Sequence, residues 1–213
     1  MIKILLADDH SIVRKGLKQI LQEEFPEANF EEAADGLELL RKARTFNADI
    51  IISDLSMPGR SGMDTLKQLK SELPATPVII LSIHPEDQYA IRVLKAGAQG
   101  YITKEAAPEE LVQAVRQVLK GRRYITHSLA EKLAEAIGGH VQEYEMPHQS
   151  LSDREFYVLK MISSGKTVSE IAESLSLSVN TISTYRARIL EKMNMRTNAE
   201  LTHYAISNNL IST

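Results

Sequence analysis

Five short apolar runs, at 2–7, 29–34, 49–53, 77–81 and 99–102, are separated by amphipathic stretches through the first part of the chain. The runs are too short for helices and too continuously apolar for strands with one wet face, so they read as strands covered on both sides. Between the first two, Ile12, Val13, Gly16, Leu17, Ile20 and Leu21 recur at helical spacing while Arg14, Lys15, Lys18 and Gln19 fill the gaps. Residues 37–43, 63–69, 89–94 and 111–119 repeat that pattern. Strict alternation of this kind predicts an α/β fold: a five-stranded, doubly wound parallel sheet with helices on both faces. In such sheets ligands meet the carboxyl ends of the strands, which decides where chemistry is to be sought.

The strand ends carry an unusual set. Asp8 and Asp9 follow the first run, Asp54 ends the third, Ser82 ends the fourth and Lys104 lies just past the fifth. A single Asp after a strand is often no more than a helix N-cap, and Ser11 or Asp35 fits that bland role. Three carboxylates at one sheet edge are different, because they raise one another's pKa values unless a cation sits among them. Oxygen ligands with room for water and a phosphoryl group suit Mg²⁺. Lys104 and the Ser82 hydroxyl would meet phosphoryl oxygens, so the edge reads as a phosphoryl-transfer pocket with a carboxylate acceptor.

After Gly121 the pattern changes. Leu129, Leu133, Ala136 and Ile137 suggest a helix over 126–137 ended by Gly138-Gly139, and the polar, Pro147-containing stretch 140–150 reads as a linker. Beyond it there is no strand pattern. Ser152 with Glu155 makes a capping box for a helix carrying Phe156, Leu159 and Ile162, which Gly165 ends. A short helix over 168–175, a tight turn at 176–178, a longer helix over 179–193 and a fourth over 197–207 complete an all-α bundle. The short helix followed by a longer one reads as a helix-turn-helix, whose second helix enters the major groove. Its outer face carries Asn180, Thr181, Ser183, Thr184, Ala187, Arg188 and Lys192, short polar groups for base edges and cations for phosphates. Arg186, Arg188, Lys192 and Arg196 face only Glu191 in this stretch, although the chain's net charge is −3. The bland alternative is a small structural bundle with a solvated face.

The chain contains no cysteine, which excludes a disulfide scaffold, a thiolate zinc site and a thiol nucleophile. No apolar run can span a bilayer, and the start of the chain runs straight into Asp8-Asp9, unlike a signal peptide. A cytoplasmic protein with no membrane role is expected.

Leu-Ala-Asp8-Asp9-His, Ser53-Asp54-Leu-Ser-Met-Pro58-Gly59, Leu81-Ser82 and Gly100-Tyr101-Ile-Thr-Lys104 resemble the receiver domain of two-component response regulators. The resemblance implies a flavodoxin-like strand order and a phosphoryl group passed to Asp54 by a sensor histidine kinase. It implies Mg²⁺ held directly by Asp9 and through water by Asp8, with Asp54 and the Ser56 carbonyl as further ligands. Lys104 would pair with the phosphoryl group, Ser82 would be drawn toward it, and Tyr101 would turn inward. Phosphorylation adds charge and acceptor oxygens, which can bias a two-state element. Pro58 fits a fixed turn beside the acceptor. Ile83, bulky and apolar beside Ser82, is expected to crowd a water attacking near Asp54 and so slow dephosphorylation. The histidines show no ligand spacing, and His10 and His84 are as compatible with a second shell or solvent as with a ligand role.

The later segment, from Leu151-Ser-Asp-Arg154-Glu155 through Ser178-Val-Asn-Thr181-Ile182 to Lys192-Met193, resembles the LuxR-type DNA-binding domain. Joined to a receiver, it is similar to the NarL/FixJ group of response regulators. Carried over by position, Ser183, Thr184 and Ala187 face bases, while Asn180, Thr181, Arg186, Arg188 and Lys192 lie at or near the backbone. Ser176 stands at a turn where the family often has glycine. The expected domains are a receiver over 1–121, a linker with a helix over 122–148 and the DNA-binding domain over 149–213. Few cations per copy favour two copies on two half-sites, so a phosphorylation-driven homodimer on double-stranded DNA is expected. The helix at 126–137 and the linker are expected to hold the reader back until then.

The expected protein is a regulator, not an enzyme. The rival from another class is a phosphatase or phosphotransferase using Asp54 as a turnover nucleophile, but no general acid partners it. A third reading keeps the DNA function and drops phosphorylation; the intact acidic set argues against it.

Overall fold

The computed structural model describes residues 1–57, 61–84, 86–131, 146–175 and 177–211. The expectations at Pro58 and Ser176, the part of the helix at 132–137 and the linker at 140–145 lie outside the described residues. The chain divides into two compact units, Met1–Ile137 and Gly138–Thr213.

In the first unit strands and helices alternate. They are β1 (Lys3–Ala7), α1 (Ser11–Glu24), β2 (Asn29–Ala33), α2 (Gly36–Phe46), β3 (Ile50–Asp54), α3 (Gly62–Glu72), β4 (Val78–Ser82), α4 (Glu86–Lys95), β5 (Gly100–Thr103) and α5 (Ala107–Leu119). All five strands pair in parallel in the order β2-β1-β3-β4-β5. The expected doubly wound sheet with flavodoxin-like order is therefore the fold.

Alternation along the strands builds two cores. Ile4, Leu6, Ile50, Ile52, Ile79, Leu81 and Ile102 face Leu17 and Leu21 of α1 and Leu111, Ala114 and Val115 of α5. Elsewhere α2 packs on β1 and β2 and α4 on β5, with α3 against α2. Each such aliphatic side chain removed from water contributes about 1.5–3 kcal/mol before chain entropy is charged against it. Every residue of β3 and β4 is buried, as the continuous apolar runs demanded.

Asp35 does serve as an N-cap, its side chain accepting from the Leu37 and Glu38 amides. Ser11 does not: it is the first residue of α1, and His10 stands at the cap. Gly62 opens α3 where the chain passes close to the end of β3. A Cβ there would lie 2.1 Å from the Leu55 carbonyl oxygen, so only glycine fits. Past α5 the chain returns to the sheet: Tyr124 bridges Gly100 in parallel and its amide donates to Gln99 O at 2.8 Å. The outer edge of β5 is thereby partly covered.

The second unit is helical throughout its described residues. A single 3₁₀ turn (Pro147–Ser150) precedes α6 (Asp153–Ser163), α7 (Val168–Ser174), α8 (Val179–Lys192) and α9 (Asn198–Ser207). The Ser152–Glu155 capping box is present as expected. Gly165 ends α6 with φ +86°, a conformation that costs other residues a Cβ clash. Phe156, Leu159, Ile171, Ile182, Ile189 and Leu201 are each 0% exposed and form the core between the helices.

Candidate functional site

The sheet order reverses direction at β1, so a crevice opens between the carboxyl ends of β1 and β3. Asp8 and Asp9 follow β1, and Asp54 is the last residue of β3. Asp8 is 0%, Asp54 1% and Ser82 0% exposed. Lys104 Nζ donates to Asp54 Oδ2 at 2.8 Å and stands 2.6 Å from Asp8 Oδ2. Its amide also donates to Ser82 O at 2.7 Å, which pins the start of the loop after β5 to the end of β4. The Ser56 amide donates to Asp54 Oδ1 at 3.0 Å, so both Asp54 oxygens are held. Arg14 braces the β1–α1 turn by donating to the Asp8 carbonyl while its Nε reaches Glu32 at 3.4 Å.

Burial pushes the Asp54 carboxyl above its ordinary range, and the neighbouring Asp8 charge adds to that; Lys104 and the Ser56 amide pull the other way and lose. Burial would lower the Lys104 pKa, but Asp54 and Asp8 outweigh it and raise it. Two carboxylates nearly out of water thus share one ammonium. Asp8 Oδ2 and Asp9 Oδ1 are buried with no well-directed hydrogen bond, the first 2.6 Å from Lys104 Nζ and the second 2.8 Å from His10 Nδ1. Oxygen-rich, under-neutralised and partly orphaned, the set fits a hard divalent cation. One ligand atom from each of Asp8, Asp9, His10 and Asp54 can be chosen so that all lie within 4.8 Å of one another.

His10 is the residue that ligand spacing did not reveal. Its Nδ1 lies 2.8 Å from Asp9 Oδ1 and 3.3 Å from Asp8 Oδ1. The available signal was simply its place next to Asp9 in the turn. His84 also faces this region, its Nε2 3.5 Å from Ser56 Oγ and its ring stacked on Tyr89 at 4.9 Å. Tyr101 is already inward, 1% exposed, with its hydroxyl donating to His84 O at 2.8 Å. Ile83, expected to crowd a water near Asp54, is 69% exposed.

In the second unit α8 presents the expected face. Asn180, Ser183, Thr184, Ala187 and Arg188 are exposed, and Ile182 and Ile189 anchor the opposite side. Ser178 caps the helix by accepting from Thr181 N at 3.1 Å, and its hydroxyl also meets that of Thr181 at 2.7 Å. Thr184 bonds back to Asn180 O at 2.9 Å. Two of the expected cations are occupied inside the domain: Arg186 Nε donates to Asn198 Oδ1 at 2.6 Å, and Lys192 Nζ to Glu155 Oε2 at 2.7 Å. Among the described residues Arg188 has no such partner, which leaves its guanidinium available to a phosphate.

Two family models match the chain: the response regulator receiver domain over residues 4–116 and the bacterial regulatory proteins of the luxR family over residues 149–205. The chain is 38% identical over 210 residues to the response regulator UvrY of Escherichia coli strain K12, covering 99% of this chain and 96% of that one. It is 36% identical over 211 residues to the response regulator GacA of Pseudomonas aeruginosa, covering 99% and 98%. Among solved structures it resembles RcsB from Salmonella enterica serovar Typhimurium bound to the promoter rprA in the presence of phosphomimetic BeF₃⁻. That likeness has a TM-score of 0.69 and 28% identity, and covers 97% of this chain and 100% of that one.

Proposed function

Because the chain belongs to the response regulators that join a receiver domain to a LuxR-type DNA-binding domain, we propose that phosphorylation of Asp54 switches its binding to DNA. The observation that carries this is the buried Asp54–Lys104 pair beside Asp8 and Asp9 at the crevice of the sheet. The solved RcsB complex with promoter DNA and a phosphomimetic supports the same reading.

An Asp54 carboxylate oxygen attacks the phosphorus of a phosphohistidine on a sensor kinase. The O–P bond forms as the P–N bond breaks, and its electron pair returns to the donor imidazole. Asp8, Asp9, Asp54 and the Ser56 carbonyl would hold Mg²⁺, which supplies positive charge to the transferring oxygens. Lys104 provides the second positive charge and the buried Ser82 hydroxyl a donor. Tyr101, hydrogen-bonded to His84 O, reports the position of the β4–α4 connection.

The receiver runs over 1–121, the linker over 122–148 and the DNA-binding domain over 149–213. The output is DNA binding by a homodimer on two half-sites of a duplex, with Ser183, Thr184 and Ala187 toward bases and Asn180, Thr181, Arg186, Arg188 and Lys192 toward the backbone. The protein works in the cytoplasm as a regulator rather than by turnover. Among the described residues no helix is long and apolar enough to cross a membrane.

Incubating the chain with Mg²⁺ and acetyl phosphate, beside Asp54→Ala, tests the acceptor and the dimer together. Intact mass should gain one phosphoryl group in the wild type alone, and light scattering should move toward a dimer. No adduct, or an equal adduct in the variant, overturns the acceptor assignment.

A further inference from the structure

The segment that leaves the sheet after α5 is fastened to it at several points. Tyr124 bridges Gly100, its amide donating to Gln99 O, and Leu129 is 1% exposed. Between them the Thr126 hydroxyl lies 2.6 and 2.7 Å from the two carboxylate oxygens of Glu86, the first residue of α4. The same Thr126 starts a helical turn at 127–131. Its Oγ1 accepts from Leu129 N at 3.2 Å, and its carbonyl accepts from Ala130 N at 3.0 Å. One side chain therefore both caps the beginning of the linker and ties it to α4. A hydroxyl donating to an ionised carboxylate is a charge-assisted bond, stronger than one between neutral groups. Tyr124 stands close by: burial and the Glu110 charge push its hydroxyl up to about 12, so it stays neutral as a donor to Glu110.

The other end of this tie lies in the acceptor pocket. Glu86 is two residues beyond His84, and both main-chain polar groups of His84 are held by pocket residues. Its amide donates to Ser82 Oγ at 3.1 Å, and its carbonyl accepts from Tyr101 Oη at 2.8 Å. His84 is thus bonded to the pocket, and Glu86, at the start of α4, to the linker. Ser82 and Glu86 are close in the chain, so a displacement of the Ser82 hydroxyl has a short covalent distance to cover before it reaches Glu86.

We propose that the Glu86–Thr126 hydrogen bond is a latch fixing the start of the linker to α4, and that phosphorylation releases it through Ser82 and His84. The release rests on Asp54 being the phosphoryl acceptor; the latch itself does not. Freed at 124–131, the chain between the two units gains reach, and reach sets how readily two DNA-binding domains engage paired half-sites.

Hydrogen exchange over residues 124–131 of the full chain reads the latch directly. The proteins are the wild type, Glu86→Ala and Thr126→Ser, each with Mg²⁺ alone and with Mg²⁺ plus acetyl phosphate, with the adduct followed by intact mass. Glu86→Ala leaves the Thr126 cap in place and removes only the tie. Without phosphoryl donor it should exchange about tenfold faster than the wild type, as loss of a bond to a charged group implies. The phosphorylated wild type should reach the same rate, and Thr126→Ser, which keeps the hydroxyl, should stay slow until phosphorylated. Wild-type rates in Glu86→Ala overturn the latch, and a phosphorylated wild type as slow as the unmodified one overturns the release. Failure of the wild type to form an adduct overturns the acceptor reading and the release with it, while the Glu86→Ala comparison still decides the latch.

Discussion

Lys104 is hydrogen-bonded to Asp54 at 2.8 Å although the two lie 50 residues apart in the chain. The bond joins the loop after β5 to the end of β3 and gives the buried Asp54 carboxylate one cation, which it shares with Asp8. Much of the receiver's behaviour follows from that shortage of positive charge.

Asp54 is costly to the fold at neutral pH. Its folded pKa stands above the ordinary value of 3.8, so the folded state binds the proton more tightly than the unfolded one. Stability from this group falls as pH rises from the ordinary value through the raised one. Asp54→Asn, neutral and of the same shape, should therefore raise the receiver's Tm by a few degrees at pH 7. The gain should vanish at acidic pH, where wild-type Asp54 is protonated. Thermal unfolding of both proteins across that range checks the sign, and an Asn variant less stable at pH 7 contradicts it.

Lys104→Met removes the only ammonium paired with Asp8 and Asp54 among the described residues. Leaving buried carboxylates without their partner should destabilise the receiver by about 3–5 kcal/mol. A divalent cation bound among the acids offsets that loss, so added Mg²⁺ should raise the variant's Tm more than the wild type's. Melts with and without Mg²⁺ make the comparison, and equal Mg²⁺ shifts in the two proteins would argue against a cation among these carboxylates.

Glu155 should carry a pH-dependent share of the DNA-binding domain's stability. Burial acts to raise its pKa, but Lys192 and the Ser152 amide and hydroxyl lower it below the ordinary 4.5. A depressed carboxylate stabilises above its unfolded pKa, and the contribution is lost as pH falls through the folded value. Lys192 is 40% exposed, so solvent screens part of the pair. Glu155→Gln should cost about 1 kcal/mol at pH 7, mostly from the lost charge opposite Lys192. A Gln here still accepts from the Ser152 amide and so keeps the capping box. Urea unfolding should show the two proteins converging as pH drops below that range.

The architecture was legible because apolar runs buried on both faces have few other solutions. The strand ends were legible too, since the pattern sets Asp54 and Ser82 at the ends of the third and fourth strands although neither is apolar. The apolar runs stop at Ser53, Leu81 and Ile102, whereas β3, β4 and β5 continue through Asp54, Ser82 and Thr103. Ladder pairing depends on the backbone, and Asp54 opposite Leu81 and Ser82 opposite Thr103 pair as well as apolar residues do. Asp54 and Ser82 therefore sit on strand ends, while Asp8, Asp9 and Lys104 lie in the loops after β1 and β5. In the second unit two further capping boxes, Thr167–Glu170 and Thr197–Glu200, were present as the same spacing that marked Ser152–Glu155. The Lys192–Glu155 and Arg186–Asn198 bonds had no such local signal. They depend on how α8 packs against α6 and α9, and they turn two cations toward their own domain.

That division of labour separates the cations of α8. Arg188→Ala should weaken DNA binding about equally across sequences and reduce the salt slope by about 1, the effect of one lost phosphate contact. Lys192→Ala should first lower the domain's Tm, because Glu155 loses its partner. Fluorescence anisotropy on a fixed labelled duplex from 50 to 200 mM salt, paired with melts, distinguishes them. An unchanged salt slope in Arg188→Ala removes that residue from the DNA interface.

The central claim is that Asp54 phosphorylation controls DNA reading, and selection from a random pool of duplexes tests it most directly. The full chain and Asp54→Ala are each carried through rounds of binding with Mg²⁺, with and without acetyl phosphate, and the bound duplexes are sequenced. Enrichment of a two-fold symmetric sequence by the phosphorylated wild type alone is the predicted result. Equal enrichment of that sequence by Asp54→Ala, or by the wild type without donor, would contradict it.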